Sequence, residues 1–286
     1  MTRVGFILKP KQDNEARSLL NTLAEWVIGS GHSAVVVAED GGSPQGSIIV
    51  PEAELAEAVD LCVVLGGDGT MLRASRAVTG KDIPLLGINL GHLGFLNPFD
   101  ASEALTALTD AVAGKLPSTQ RMRLQVTYRP HGADPVALSA LNDVVLNQGA
   151  MARLIELQAH LDGAFINSYR ADGLVVCTPT GSSAYNLAAG GPIMYPGLDA
   201  VAITPICAQG LNNRPLVVPG NRTIRLSMSG ESEGVVLTVD GQWAHSFQTG
   251  DEVDITSSPI PLTVYNVESD YFNVLRAKLH WGVRPT

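Results

Sequence analysis

A carboxylate flanked by glycines follows a strongly apolar segment in the first quarter of the chain. Residues 61–65 read LCVVL, which is typical of a strand buried on both faces, and residues 66–70 read GGDGT. Glycines let a backbone approach a ligand closely, and open α/β sheets bind ligands at the carboxyl ends of their strands. The pattern predicts that Asp68 is carried on a thin loop at such an edge. The competing interpretation is an ordinary turn with a solvated aspartate.

A second polar segment follows another apolar run. Residues 170–185 read RADGLVVCTPTGSSAY, so a strand ends in hydroxyl groups and glycine before a helical pattern begins at Asn186. Ser182 or Ser183 at a helix N-cap would leave backbone N–H groups pointing outward, which is a ready site for an anion. The competing interpretation is a plain capped helix without a ligand.

The sequence pattern differs between the first part of the chain and the rest. Residues 1 to about 100 alternate strand and helix patterns, with a helix capped by Asp13 or Asn14, a short helix opened by Pro51 and a third over about 70–78. This order predicts a parallel, Rossmann-like sheet with crossover helices. From Arg121 onward, short alternating strands separated by turn residues predict a β-rich part.

The predicted fold is therefore an α/β N-terminal domain with a parallel sheet, followed by a β-rich C-terminal domain. We expect the first domain over 1–100 and the second over 101–268, with a helix at about 102–113. A final helical segment over 269–286 is expected to pack back on the N-terminal domain.

The amino-acid composition limits the kinds of protein and of partner that fit this chain. The chain has 286 residues, 45% hydrophobic and 5% aromatic, so its core is aliphatic. A net charge of −9 argues against nucleic acid as the main partner. No apolar run approaches the ~18 residues that span a bilayer, and the first residues form a strand pattern, so we expect a cytoplasmic protein without a membrane partner. Cys62, Cys177 and Cys207 each lie in an apolar run and are expected to be buried free thiols. No motif suggests a structural zinc site.

Several motifs resemble one family of phosphotransferases. GGDGT at 66–70 resembles a sequence shared by NAD kinases, phosphofructokinases and diacylglycerol or sphingosine kinases, and MLRASR at 71–76 and GHLGFL at 91–96 resemble the NAD kinase version. Residues 172–185 are similar to the D-G-x-x-x-x-T-P-T-G-S-T-A-Y motif of NAD kinases, with Ser183 in place of threonine. DGQ at 240–242 also matches, so the resemblance covers about residues 60 to 245.

The resemblance implies phosphoryl transfer from ATP, or another phosphate donor, to the 2′-hydroxyl of the adenosine ribose of NAD, which gives NADP. Asp68 is the implied catalytic residue, which orients that hydroxyl and accepts its proton. Gly66, Gly67 and Gly69 are implied to admit the donor phosphates, with Mg²⁺ bridging those phosphates rather than lying in an all-protein cage.

The resemblance also implies a set of ligand contacts. The residues concerned are Arg73, Asn142, Asp143, Arg153, Arg170, Asp172, Ser183, Ala184, Tyr185, Asn186, Leu187, Ala188, Cys207 and Gln242. Family members are homodimers or homotetramers, and Arg153 is the residue we expect to reach a neighbouring subunit's site.

The chain departs from the family at two places. Asp143 stands where the family has glutamate, and Ala208-Gln209 replaces the usual Pro-His. Two other functions stay open: a lipid kinase of the diacylglycerol or sphingosine type, and a non-catalytic dinucleotide sensor. TPTG at 178–181 and the lack of a basic amphipathic helix oppose the first. Asp68 opposes the second. The donor range, the preference for NAD or NADH, the oligomer number and feedback inhibition also stay open.

Overall fold

The computed structural model describes residues 1–9, 14–91, 94–149, 154–210, 212–230, 234–265 and 271–279. It divides the chain into two units, the first made of Met1–Gln120 and Leu262–Thr286 and the second of Arg121–Pro261. The first unit thus extends past the predicted boundary at residue 101. The physical reason is the helix Ala104–Val112, which buries Leu108 and three alanines in the core of that unit.

The first unit is built on one eight-stranded sheet. Its strands are β1 Arg3–Leu8, β2 Ser33–Val37, β3 Ile48–Val50, β4 Leu61–Leu65, β5 Leu85–Asn89, β6 Phe99–Asp100, β7 Ser118–Arg121 and, from the far end of the chain, β20 Leu262–Tyr265. Its α-helices are α1 Asn14–Gly29, α2 Leu55–Ala58, α3 Asp68–Ala77, α4 Ala104–Val112 and α6 Tyr271–Leu279. Short 3₁₀ turns cover Ala38–Asp40 and Glu52–Glu54.

The sheet order is β3-β2-β1-β4-β5-β20-β7, with β6 beside β5. The pairs from β3 to β20 are parallel, as the alternation of strand and helix predicts. Helix α1 covers one face with Leu20, Leu23 and Val27, whose spacing follows the helical period. On the other face, Gly5 of β1 lies against Leu55 and Val59 at α2, so side chains above glycine size would not fit there.

The second unit contains two six-stranded antiparallel sheets. In chain order its strands are β8 Leu124–Arg129, β9 Val136–Ala140, β10 Asp143–Gln148, β11 Ile155–Leu161, β12 Ala164–Ala171, β13 Gly173–Cys177, β14 Ala200–Ile206, β15 Leu216–Pro219, β16 Ile224–Ser229, β17 Val235–Val239, β18 Trp243–Ser246 and β19 Glu252–Ser257. A 3₁₀ turn over Gly181–Ser183 precedes the four-residue helix α5 Tyr185–Ala188.

The two sheets of this unit pack face to face. One has the order β15-β14-β13-β10-β17-β18 and the other β12-β11-β16-β19-β8-β9, and a single apolar core takes residues from both. Alternation decides which residues enter that core: Val144 and Leu146 point inward, whereas Val145 lies on the outer face with Val175 and Cys177. The predicted α/β and β-rich parts are both confirmed.

Some sequence expectations need correction. Cys62 and Cys177 are buried thiols as expected, but Cys207 is exposed because it follows β14 in a turn, where its φ is +47°. The predicted cap residue Asp13 lies outside the described residues. Among the helices that are described, none is both long and apolar enough to cross a membrane.

Candidate functional site

Asp68 is the first residue of helix α3 rather than part of a loop, which corrects the expectation of a thin loop. Gly67 is the N-cap, with φ −101° and ψ −170°, so its backbone is extended and open to any residue type. An added Cβ at Gly67 or Gly69 would meet nothing within 4 Å. The carboxylate therefore stands at a helix N-terminus beside free space, a position that favours negative charge.

Two backbone groups fix the Asp68 carboxylate. The N–H groups of Phe95 and Leu96 donate to its two oxygens at 3.2 and 3.1 Å. The ammonium of Lys278, on α6, lies 3.3 Å from the oxygen that also accepts from Phe95. The GHLGFL segment thus supplies the donors that orient Asp68, although His92 and Leu93 are outside the described residues.

The Cα of Gly94 lies so close to Asp68 that a Cβ there would overlap the carboxylate. We therefore expect Gly94→Ala to push Asp68 out of position and to lower kcat by about 10²-fold, the effect of misplacing a catalytic group by ~1 Å. Steady-state kinetics and circular dichroism measured together check this. Gly91→Ala is the matched control, since a Cβ at Gly91 meets nothing within 4 Å. Equal activity in both variants would contradict the proposed contact.

Gly66, two residues before Asp68, is held by a buried side chain. Asn97 donates from Nδ2 to the Gly66 carbonyl at 2.9 Å, and the Gly66 N–H donates to Ile88 at 3.0 Å. A Cβ on Gly66 would overlap Thr70 of α3, so glycine is required for the strand to enter the helix this tightly. The turn between β4 and α3 is thus held by two hydrogen bonds and by close packing against Thr70.

Arg73 was predicted to contact a ligand, and the structure gives it partners within the first unit. Its guanidinium donates to Glu52 at 2.7 Å, to the Leu8 carbonyl at 2.9 Å and to Asp40 at 2.5 Å. The side chain is 12% exposed. Its charge is therefore already balanced by two carboxylates, and its role toward a ligand stays a prediction.

In the second unit, Asp240 organises the segment that carries Asn142 and Asp143. Its carboxylate accepts N–H bonds from Leu141, Asn142 and Asp143 at 2.8, 2.7 and 3.1 Å. Asp240 itself is in the left-handed region, with φ +51°. The sequence motif points to Gln242, two residues later, and does not predict this role of Asp240.

Asp143 is a buried carboxyl group close to a second one. Burial, together with the charge of Asp240, raises the pKa of Asp143 to about 7 from an ordinary 3.8. Burial also raises the pKa of the facing Cys177 thiol, to about 12, with a contribution from Asp143. Asp143 therefore changes charge near neutral pH and can offer either a donor or an acceptor to a ligand.

The raised pKa of Asp143 has a consequence for stability. Between pH ~4 and ~7, Asp143 keeps a proton in the folded protein that it has lost in the unfolded chain. The contribution of Asp143 to the free energy of unfolding therefore falls as pH rises through that range. We expect Asp143→Asn to gain melting temperature relative to wild type between pH 5 and pH 8. A pH-independent difference for Asp143→Asn would contradict the assignment.

The hydroxyl-rich segment folds back on itself. Ser182 donates to Pro179 and accepts from the Met194 N–H, and Ser183 donates to Thr180 at 3.3 Å. Ala184, which has no side-chain oxygen, is the N-cap of α5. The predicted serine N-cap is therefore wrong, because these hydroxyls bond to the preceding turn and to Met194 instead of to the first N–H groups of α5.

Helix α5 is anchored by Asn186. The buried amide donates to Ser182 and Pro192 at 3.2 and 3.0 Å and accepts from Thr204 at 2.6 Å. Tyr185, Ala184 and Ala188 are exposed, and Leu187 is half-buried. The anchor at Asn186 therefore leaves Tyr185 available on the surface.

The predicted contacts of the second unit form two groups at opposite ends of one ladder. Asp143 pairs with Cys177 at one end of β10 and β13, and Asn147 pairs with Gly173 at the other. Asn142, Ser183 and Gln242 belong to the first end. Arg170, Asp172 and Cys207 belong to the second, where the Gln209 N–H donates to the Arg170 carbonyl at 2.7 Å. Four residue steps separate the ends by ~13 Å. Arg153 lies outside the described residues.

Comparison with known proteins places the chain among kinases of NAD. The family description "ATP-NAD kinase N-terminal domain" matches residues 4–116, and "ATP-NAD kinase C-terminal domain" matches residues 141–267. An NAD kinase of Geotalea daltonii is 40% identical over 273 residues, covering 95% of this chain and 96% of that protein. An NAD kinase of Syntrophotalea carbinolica is 39% identical, covering 99% and 100%.

Two solved structures resemble the fold. Yeast NADH kinase complexed with NADH has a TM-score of 0.92 and 27% identity, covering 100% of this chain and 89% of that one. An NAD kinase from Archaeoglobus fulgidus in complex with ATP has a TM-score of 0.77 at 24% identity, covering 97% and 98%, and shows likeness of fold.

Proposed function

The chain belongs to the NAD kinase family, enzymes that transfer phosphate to NAD, and we propose that Asp68 is the residue that acts on the accepting hydroxyl. The observation that carries the proposal is the fixed Asp68 carboxylate, which accepts two backbone N–H groups while a third of its side chain stays exposed beside Gly67 and Gly69. A general base must be held in place and still reach its proton.

The space beside Asp68 supports the binding of the phosphate donor at this point. Phosphoryl transfer needs positioning and charge neutralisation more than covalent chemistry from the protein. Gly67 and Gly69 leave room for donor phosphates next to the α3 N-terminus, whose N–H groups favour anions. ATP is the proposed donor, in line with the Archaeoglobus fulgidus relative in complex with ATP.

Mg²⁺ fits this place. It favours octahedral oxygen ligands and keeps several waters, so one carboxylate and the donor phosphates suffice to hold it. In the described ranges no three His, Cys, Asp or Glu side chains group closely enough to bind a metal ion. The ion would be held mainly through the donor phosphates, with Asp68 as a protein oxygen that could contact it, and it would neutralise charge on those phosphates.

For the acceptor, we propose that the two ends of the β10–β13 ladder bind separate parts of the dinucleotide. Asn142 and Asp143 at one end offer an amide and a carboxyl group to ribose hydroxyls, and Arg170 and Asp172 at the other are both exposed. A spacing of ~13 Å suits an extended ligand. We further propose a cytoplasmic homodimer or homotetramer in which Arg153 reaches a neighbouring subunit's site.

A coupled assay for NADP tests the proposal. Wild type with ATP, Mg²⁺ and NAD should form NADP, and parallel reactions with NADH, polyphosphate, diacylglycerol and sphingosine define the donor and acceptor range. Phosphorylation of a lipid but not of NAD would favour the lipid-kinase alternative. NAD binding without any turnover would favour a sensor.

A further inference from the structure

The C-terminal helix brings a cation to the catalytic aspartate. Lys278 lies 210 positions after Asp68 in the sequence, and its ammonium lies 3.3 Å from the Asp68 carboxylate. The same ammonium lies 4.9 Å from the centroid of the Phe95 ring. Phe95 thus holds both groups, Asp68 through its backbone N–H and Lys278 through its aromatic face.

The surroundings of Lys278 leave it able to move. Its side chain and that of Asp68 are each 33% exposed, so the pair is open to solvent on one side. Lysine carries its charge on a flexible four-carbon stem, which allows the ammonium to change partner without moving the helix. By contrast Arg73, the basic side chain next to the glycine turn in sequence, is engaged by Asp40 and Glu52.

Phosphoryl transfer next to the Asp68 carboxylate needs a positive charge nearby. A donor triphosphate placed beside Gly67 and Gly69 brings several negative charges close to the carboxylate, and like charges repel. A lysine ammonium binds phosphate as a point charge. An ammonium between the carboxylate and the phosphate offsets that repulsion. It can also stabilise the negative charge on the phosphoryl group while that group is transferred.

We propose that Lys278 is a donor-binding residue: it pairs with Asp68 in the free enzyme and binds the terminal phosphate of the donor when the donor is present. The proposal rests on the proposed role of Asp68. It makes helix α6 part of the donor-binding site, and Phe95 the side chain against which the ammonium packs.

The test compares Lys278→Met, which keeps the stem and removes the charge, with Lys278→Arg, which keeps the charge. Arg276→Met is the matched control, since Arg276 is on the same helix and contacts Asn273. Each variant is assayed for kcat/KM with ATP and titrated calorimetrically with a non-hydrolysable ATP analogue plus Mg²⁺, and with inorganic tripolyphosphate.

We expect Lys278→Met to lower kcat/KM for ATP and the analogue affinity by about 10- to 100-fold, the loss of one charge-assisted hydrogen bond. NAD affinity should stay unchanged, and melting temperature should fall only slightly, because an exposed ion pair contributes little to stability. Lys278→Arg should retain most of the activity, and in Lys278→Met the salt dependence of analogue binding should become shallower.

Wild-type analogue affinity in Lys278→Met, or an equal loss in Arg276→Met, would overturn the proposal. A lower melting temperature with unchanged ATP parameters would do so too, because it would mean that the pair only anchors α6. Asp68→Asn separates the two proposals: it should bind the analogue yet fail in turnover. If it turns over normally, the role of Asp68 fails independently of any result at Lys278.

Discussion

Asp68→Asn should keep the fold and bind NAD, while kcat falls by on the order of 10²- to 10⁴-fold, the usual contribution of a general base. Asparagine retains an oxygen for the N–H groups of Phe95 and Leu96, so the side chain should stay in place. Losing the charge at the α3 N-terminus and the half-exposed pair with Lys278 should cost only ~1 kcal/mol of stability. Steady-state kinetics, NAD titration and thermal melting check the three parts.

Asp82→Asn is the control for this substitution, because it removes one carboxylate from an exposed position of the same unit, where the carboxylate accepts a hydrogen bond from the Thr263 hydroxyl. It should leave kcat unchanged. If Asp68→Asn retains more than a tenth of wild-type kcat, the assignment of Asp68 as the base fails.

Asp240→Ala should produce the largest loss of stability in the second unit. It removes the acceptor of three backbone N–H groups and the negative charge that attracts the buried Arg123. Breaking a buried charged network typically costs 3–5 kcal/mol, so we expect a loss of about that size in the free energy of unfolding. NAD should also bind more weakly, because Asn142 and Asp143 lose their anchor.

Asp162→Ala is a close control for Asp240→Ala. Both aspartates have a left-handed backbone, with φ +48° at Asp162 and +51° at Asp240, so the cost of alanine in that conformation is shared. Asp162 is exposed and accepts one backbone N–H, from Thr223 at 2.8 Å. Chemical denaturation of both variants compares the loss of the three part-buried bonds and the Arg123 attraction at Asp240 with the loss of one exposed bond and the Arg222 pair at Asp162. Equal losses would show that the anchor contributes nothing beyond backbone conformation.

A further readout comes from Asp143. Since the charge of Asp240 contributes to its raised pKa, Asp240→Ala should lower that pKa toward its ordinary value, and NMR titration of the carboxyl carbon can follow it. An unchanged titration would mean that burial alone sets the pKa.

Local pattern sufficed for the main elements and for placing Asp68 after the end of β4, but not for its position as the first residue of α3. The apolar LCVVL run, the glycines after it and the change to alternating strands near Arg121 are each visible within a few residues, and the structure has β4, α3 and β8 there. The family motifs also identified GHLGFL, whose Phe95 and Leu96 donate to Asp68.

Contacts between distant parts of the chain could not be obtained in this way. Lys278 meets Asp68 across 210 positions, and Asp240 holds Leu141 across 99. The sequence around Lys278 or Asp240 has no local pattern that would identify the distant residue it contacts. The serine N-cap failed for a related reason: hydroxyls bond to whichever backbone group is near, and Met194, twelve residues on, supplies the N–H for Ser182.

The position of β20 between β5 and β7 bears on how the protein is made. Unit two is one continuous stretch, Arg121–Pro261, whereas the sheet of unit one has a gap until Leu262–Tyr265 is available. On the ribosome, the second unit can thus emerge whole before Leu262–Tyr265 is available to complete the sheet of the first unit. Domains generally fold in order from the N-terminus during synthesis, at ~5–20 residues per second. A nascent chain that ends near residue 260 would lack β20, so the edge of β5 at Leu85 would be without its partner strand, and unpaired strand edges invite association with other chains.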